Sequence, residues 1–206
     1  MYPHLLVEKK LWNQGLNQII GIDEVGRGCF AGPITVAAVM FEPHHKPITE
    51  VKDSKLLSPK KRTLLSTQIR NQAKDFFISS SSVKHINTHG ISSTLLKTMT
   101  KVIDNFSHLE YALIDGIQKP HSTSLDISCI KTIKQGDRTC YSIAAASIIA
   151  KVARDKYMQQ LHHKFPIYDW FNNKGYGTKA HRLALQKHGA SPHHRHLFIR
   201  KTLDLI

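Results

Sequence analysis

The stretch NQIIGIDEVGRGCFAGPITVAAVMFE, residues 17–42, decides the fold of this chain. It opens with a short apolar run that ends in two acids, Asp23 and Glu24. A turn built on Gly26, Arg27 and Gly28 follows, and then a second apolar run, GPITVAAVMFE. Two β-forming runs around a glycine turn predict a hairpin whose first strand carries carboxylates at its end. DEVGRG itself is open to two readings, a loop that cradles a phosphate or the seat of a metal ion. A Walker-type loop needs G-x-x-x-x-G-K-[ST], and GRGCFAGP has neither the lysine nor the hydroxyl. A dinucleotide fingerprint needs G-x-G-x-x-G opening a helix, whereas Gly26, Gly28 and Gly32 have another spacing and lead into a proline and a strand. A phosphate cradle would also keep carboxylates away from its anion. The metal reading is left standing.

Outward from the hairpin, strands and helices are mixed. LSPKKRTLLSTQIRNQAKDF begins with Ser-Pro, a helix start, and sets Leu64, Leu65 and Ile69 at helical spacing. FFISSSSV reads as a third strand with its serines on a solvated face. GISSTLLKTMTKVIDNF reads as an amphipathic helix with Leu95, Met99, Val102 and Ile103 on one side. YALIDG is a compact buried strand ending in Asp115, and CIKTIKQGD repeats that pattern up to Asp137. CYSIAAASIIAKVARDKYMQQLHHKF follows as a long helix whose alanines allow close packing on a sheet. Such a mixture predicts an α/β layer fold. From about residue 165 the chain is rich in aromatics, Gly, His and basic residues. One domain of residues 1–164 with a dependent C-terminal extension, 165–206, is therefore expected, the extension holding one or two short helices.

Lys and Arg number 29 against 15 Asp and Glu, a formal net charge of +14 with histidine neutral. That excess favours polyanionic partners. A membrane is disfavoured, because runs such as ITVAAVMF fall far short of the roughly 20 residues that span a bilayer. MYPHLLVEKKLWNQ has no apolar stretch or cleavage site of a secretory signal. Cys29, Cys129 and Cys140 form no C-x-x-C, which suits a reducing cytoplasm and gives no zinc signature. The 14 histidines have neither partner cysteines nor an H-E-x-x-H.

Each acid has an ordinary explanation taken singly. Asp115-Gly116 could be a turn, Asp137 a helix N-terminus, and Asp23-Glu24 a solvated hairpin end. Together they place carboxylates at the ends of strands that would lie side by side, where they repel unless cations neutralise them. In a chain that attracts phosphodiesters the natural cation is Mg²⁺ or Mn²⁺, and the natural chemistry is two-metal phosphodiester hydrolysis.

Six ordered motifs carry a resemblance: GIDEVGRG with AGPITVAAV, DSKLLSPKKR, LIDG, QGD with SIAAASIIAKVARDKYM, NKGYGTKAH and HGASPHHRHLF. From about residue 19 to 198 the chain closely resembles bacterial ribonuclease HII, the type 2 ribonuclease H family. The resemblance implies a ribonuclease-H-like mixed central sheet flanked by helices, with a small C-terminal helical extension that contacts substrate. It implies four acidic metal ligands at Asp23, Glu24, Asp115 and Asp137, with Mg²⁺ or Mn²⁺ as cofactor. It implies a ribonucleotide-reading element at Gly26, Arg27 and Gly28 and a substrate-sensing tyrosine at Tyr176. The partner implied is an RNA–DNA hybrid, or a DNA duplex containing ribonucleotides, cut 5′ of the ribonucleotide.

Bare backbone around Arg27 suits this role, because it can both donate to and accept from a 2′-hydroxyl. Lys55, Lys151 and Arg154 are candidate phosphate contacts, as are His181, His194 and Arg195, while Ser147 is expected to serve helix packing. Cys29-Phe30 stands where the family commonly has Pro-Leu, which implies a looser turn and an oxidisable thiol. His196 stands where an arginine is common. A monomer is expected. KTLDLI lacks the glutamine and aromatic of a sliding-clamp-binding tail, so clamp binding is unsupported. The sister type, ribonuclease HIII, shares the acids but usually has a lysine between the glycines and an extra N-terminal domain. A non-catalytic hybrid binder would gain nothing from carboxylates facing phosphates.

Overall fold

A computed structural model describes residues 2–203. Along the chain run α1 (Leu6–Trp12), β1 (Ile19–Val25), β2 (Ile34–Met40), α2 (Pro59–Gln72), β3 (Asp75–Ser81), α3 (Val83–His89), α4 (Ile91–Ile103), β4 (Tyr111–Asp115), β5 (Ile130–Ile133), α5 (Gly136–Thr139), α6 (Tyr141–Lys164), α7 (Trp170–Asn173), α8 (Lys179–His188) and α9 (His196–Leu203). The strands form one mixed sheet in the order β3-β2-β1-β4-β5. The expected hairpin is present, with β1 antiparallel to β2 and Asp23 opposite Ala37. On its other side β1 runs parallel to β4, with Ile22 opposite Ile114. One further step along both strands reaches Asp23 on one and Asp115 on the other.

The strand period of two sorts β1 between two cores. Ile20 and Ile22 join Leu95, Met99, Val102 and Ile103 of α4 beneath the sheet. Ile19 faces α6 above it, together with Leu113 and the buried Ala144, Ala145, Ala146 and Ala150. These alanines let α6 lie directly on the sheet, as their small size predicts. Gly21 makes the approach closer still, because a Cβ there would stand 2.3 Å from the Ser142 carbonyl carbon. The start of α6 is held by the buried Glu8 of α1, whose Oε1 accepts from the Ser142 N–H at 2.9 Å and the Ser142 hydroxyl at 2.7 Å. A carboxylate at a helix N-terminus also complements the helix dipole.

Several local expectations change. Leu64 is exposed while Leu65 and Ile69 are buried, since only the latter two face α6. The β3 serines are not simply solvated: Ser79 is buried, Ser80 pairs with Thr35, and Ser81 pairs with Thr98 of α4. Neither α1 nor α3 was anticipated, both being short. Beyond residue 165 the described residues form three α-helices, α7, α8 and α9. They build a third cluster in which Trp170, Leu185 and Ile199 pack on Ala31 of the hairpin turn and on Met158 and Leu161 of α6. The reading of the chain's last residues against a clamp-binding tail extends past Leu203, outside the described residues. Among the described residues no helix is long and apolar enough to cross a membrane.

Candidate active site

The register of β1 and β4 brings Asp23, Glu24 and Asp115 to one end of the sheet. There they line a cleft of about 610 Å³ whose walls also include Gly26, Arg27, Gly28, Lys55 and Tyr176. Asp23 is 95% buried, and burial, followed by the charges of Glu24 and Asp115, raises its pKa well above the usual carboxylate value. Glu24 is raised to about 7 by burial and by Asp115. Burial raises Asp115 too, against a 2.7 Å hydrogen bond that it accepts from the Gly136 N–H. The three carboxylates are thus close enough to oppose one another's ionisation, a repulsion that a bound cation would relieve.

Asp137 lies at the edge of this group, near enough to Asp115 for its charge to raise that carboxylate's pKa as well. It does not line the cleft but is buried at its margin, with its Oδ2 3.5 Å from Lys55 Nζ. The remaining acids also have partners, Glu24 with Arg27 at 3.8 Å and Asp23 with the Glu24 N–H at 2.7 Å. Accordingly, among the described residues no three His, Cys, Asp or Glu side chains already enclose a metal position. The donor set is nevertheless all hard oxygen, which fits Mg²⁺ or Mn²⁺ in kind.

The two glycines of the turn play different parts. Gly26 has φ +95°, and a Cβ on it would strike the Arg154 guanidinium at 2.2 Å, so its bareness is used for packing beneath the turn. Gly28 has open space where its Cβ would be, which leaves the backbone there free to meet a ligand. Tyr176 is 41% exposed on the facing wall, with Lys151 Nζ 5.8 Å from its ring centre. Two residues that sequence reasoning passed over line the same cleft, Ser54 and Arg62. Their proximity to Lys55 in DSKLLSPKKR was the available signal. Ser147, expected to be a packing residue, also lines the cleft. It exchanges a 3.0 Å hydrogen bond with Ser54, and its hydrogen bond to Asp23 favours that carboxylate's charged form.

Four expected phosphate contacts are corrected. Arg154, His181, His194 and Arg195 are all fully buried and so cannot meet a phosphate. Both arginines spend their donors on backbone carbonyls around the turn. The histidines form a hydrogen-bonded chain. The Ser191 N–H donates to His194 Nδ1 at 2.9 Å, so the His194 proton lies on Nε2, 3.0 Å from His181 Nε2. His181 Nε2 also accepts from the Trp170 indole at 3.2 Å, and its Nδ1–H donates to the Tyr176 carbonyl at 2.9 Å. Burial, with the charge of His181 next, holds the His194 pKa down to about 4, so the pair is neutral. The Cys29 thiol is fully buried and sits 3.9 Å from the Lys174 carbonyl, so the expected easy oxidation lacks access. His196 is exposed, and its N–H donates to Asn87 Oδ1.

A mixed sheet in this strand order, with carboxylates at the ends of its two central strands and a basic rim, defines the ribonuclease-H-like class of hydrolases. The family model described as Ribonuclease HII matches residues 20–201. The chain is 41% identical over 199 residues to the ribonuclease HII of Thermosynechococcus vestitus, covering 97% of this chain and 92% of that one. The crystal structure of ribonuclease H2 from Pyrococcus horikoshii superposes with a TM-score of 0.72 at 20% identity, covering 91% of this chain and 97% of that one. The structure of Bst-RNase HIII in complex with Mn²⁺ superposes at 0.67 and 21% identity, covering 96% and 73%. This chain belongs to the ribonuclease HII family. It is accordingly an enzyme, a ribonuclease H that acts as an endonuclease on RNA–DNA hybrids.

Proposed function

We propose that this enzyme cuts on the 5′ side of a ribonucleotide embedded in duplex DNA, leaving 3′-hydroxyl and 5′-phosphate ends, as well as cutting the RNA strand of a continuous hybrid. The observation that carries this reading is the union of two features in one cleft. Asp23, Glu24 and Asp115 oppose one another's ionisation directly beside the Gly26-Arg27-Gly28 turn, and Tyr176 faces them. Mg²⁺ or Mn²⁺, held by Asp23, Glu24 and Asp115 with Asp137 completing the set, would supply the Lewis acidity that activates water and stabilises the leaving oxygen. The Mn²⁺ bound by Bst-RNase HIII supports that choice of ion.

This chain's own residues supply position and selection. The backbone at Gly28 reads the 2′-hydroxyl, and the Arg27 fork takes the adjacent phosphate. Tyr176 packs against the next sugar, where a second 2′-hydroxyl would crowd its ring. Lys55 and Lys151 at the cleft hold flanking phosphates, and the 2′-hydroxyl serves as a recognition handle, not as the nucleophile. Such cutting fits ribonucleotide removal and primer processing. The three free cysteines fit a reducing, cytoplasmic setting, and the enzyme would act as a monomer.

The test uses two end-labelled duplexes with Mg²⁺ or Mn²⁺, one carrying a single ribonucleotide and the other an all-RNA strand on DNA. Cutting just 5′ of the lone ribonucleotide is expected. Cutting of the all-RNA hybrid alone would refute the junction reading, and binding without any cutting would favour a non-catalytic hybrid binder.

A further inference from the structure

Two fully buried arginines lie beneath the substrate-facing turn, and neither forms an ion pair among the described residues. Arg195, just before α9, donates from Nη1 to the Arg27 carbonyl at 2.8 Å, from Nε to Gly32 at 3.0 Å and from Nη2 to Pro33 at 3.0 Å. Arg154 of α6 donates from Nε to Pro33 at 3.0 Å, from Nη2 to Ala31 at 3.1 Å and from Nη1 to Lys174 at 2.9 Å. A buried cation without a counter-charge is costly, and an apolar side chain would fill the same space without that cost. What a guanidinium adds is a rigid fork that fixes several carbonyls at set angles.

The Arg27 carbonyl is the informative one. In a trans peptide the C=O and the following N–H point in opposite directions. Holding the Arg27 carbonyl inward on Arg195 therefore turns the Gly28 N–H outward. That N–H donates to no group among the described residues, and the space beside Gly28 is open. We propose that Arg195 is a positioning residue for ribose discrimination: by pinning the Arg27 carbonyl it presents the Gly28 N–H to the 2′-oxygen of the ribonucleotide. The inference rests on the reading of the turn given above. Lysine cannot replace this arginine, because a single ammonium cannot serve three carbonyls in the geometry of the fork.

Arg195→Lys keeps the charge and most of the volume, and Arg154→Lys is the matched control because it disturbs the same buried region without touching the Arg27 carbonyl. The readout is kcat/KM on single-ribonucleotide duplexes carrying either 2′-hydroxyl or 2′-fluoro at that sugar. R195K should shrink the hydroxyl-over-fluoro ratio about tenfold, the worth of one recognition hydrogen bond, and R154K should leave the ratio alone. An equal loss on both substrates, or an equal change of the ratio in both variants, would make Arg195 merely structural and overturn the proposal.

A measurement on the unmodified protein needs no variant. In chelator, the Gly28 amide NMR signal should shift on adding the single-ribonucleotide duplex and not on adding the all-DNA duplex. An unmoved Gly28 signal overturns the proposal. If the wild-type enzyme fails to cut 5′ of the ribonucleotide, the functional reading fails by itself, and the Gly28 shift, present in wild type and R154K but lost in R195K, still decides the positioning role.

Discussion

Lowering the pH from 7 to 5 should destabilise this protein through one buried ring, that of His194. Its Nδ1 already accepts from Ser191, and its Nε2–H already donates to His181, so the neutral form uses both nitrogens. Protonation would put a second proton where Ser191 donates and would place a charge in a fully buried site. Burial and the neighbouring charges of His181, His193 and His196 take its pKa from 6.5 to about 4. A depressed histidine pKa means that the unfolded chain takes up the proton first as the pH falls. The stability is therefore whole above the unfolded value and is lost as the pH drops from 6.5 toward 4. With these two values the loss is about 2 kcal/mol at pH 5 and about 3 kcal/mol at pH 4. His181 is lowered in the same direction and adds to the trend.

The raised carboxylates of the cleft act in the opposite direction, so the measurement must be a difference. Urea unfolding from pH 4.5 to 7.5 should be compared between wild type and His194→Gln. Glutamine can keep one hydrogen bond but cannot titrate. The variant should be less stable at pH 7, and the gap should close as the pH falls through 6. Parallel curves, with a constant gap across the range, would refute the buried neutral pair.

Two further outcomes follow from particular contacts. Gly21→Ala puts a methyl group 2.3 Å from backbone carbon and 2.4 Å from backbone nitrogen of α6, atoms that cannot rotate away. It should cost about 3 kcal/mol or more, read as a fall in Tm of about 2–4 °C per kcal/mol for a chain of this size; an unchanged Tm would contradict the close contact of α6 and β1. Asp115→Asn keeps an oxygen to accept from Gly136 but loses its charge, so the fold and duplex binding should survive while turnover falls about a thousandfold or more. Wild-type rates would remove Asp115 from the reaction.

The local chemistry of this chain was legible in its sequence because it follows short-range periodicity. Apolar runs marked β1, β2, β4 and β5, the β-forming residues flanking its serines marked β3, and Ser58 before Pro59 marked the start of α2, where it caps Lys61 N–H. Asp23, Glu24 and Asp115 could be read as a set because all three end apolar strands, and strand ends are a sequence property. Asp137 was legible as an acid, but only the tertiary structure sets it at the margin of the cleft against Lys55.

Burial of polar groups is where sequence reasoning failed. Arg154, Arg195, His181 and His194 have the composition of a basic, phosphate-seeking surface, yet all four lie inside. A buried cation or imidazole is tolerable only where carbonyls or ring nitrogens far away in sequence satisfy its donors, and Arg195 reaches Arg27 across 168 residues to do so. By itself the sequence determined the strands, the long helix and the acids they carry, since these depend on neighbours along the chain. Only the tertiary structure decided which basic groups line the cleft and which hold the glycine turn beside it, because that depends on which distant carbonyls come within reach.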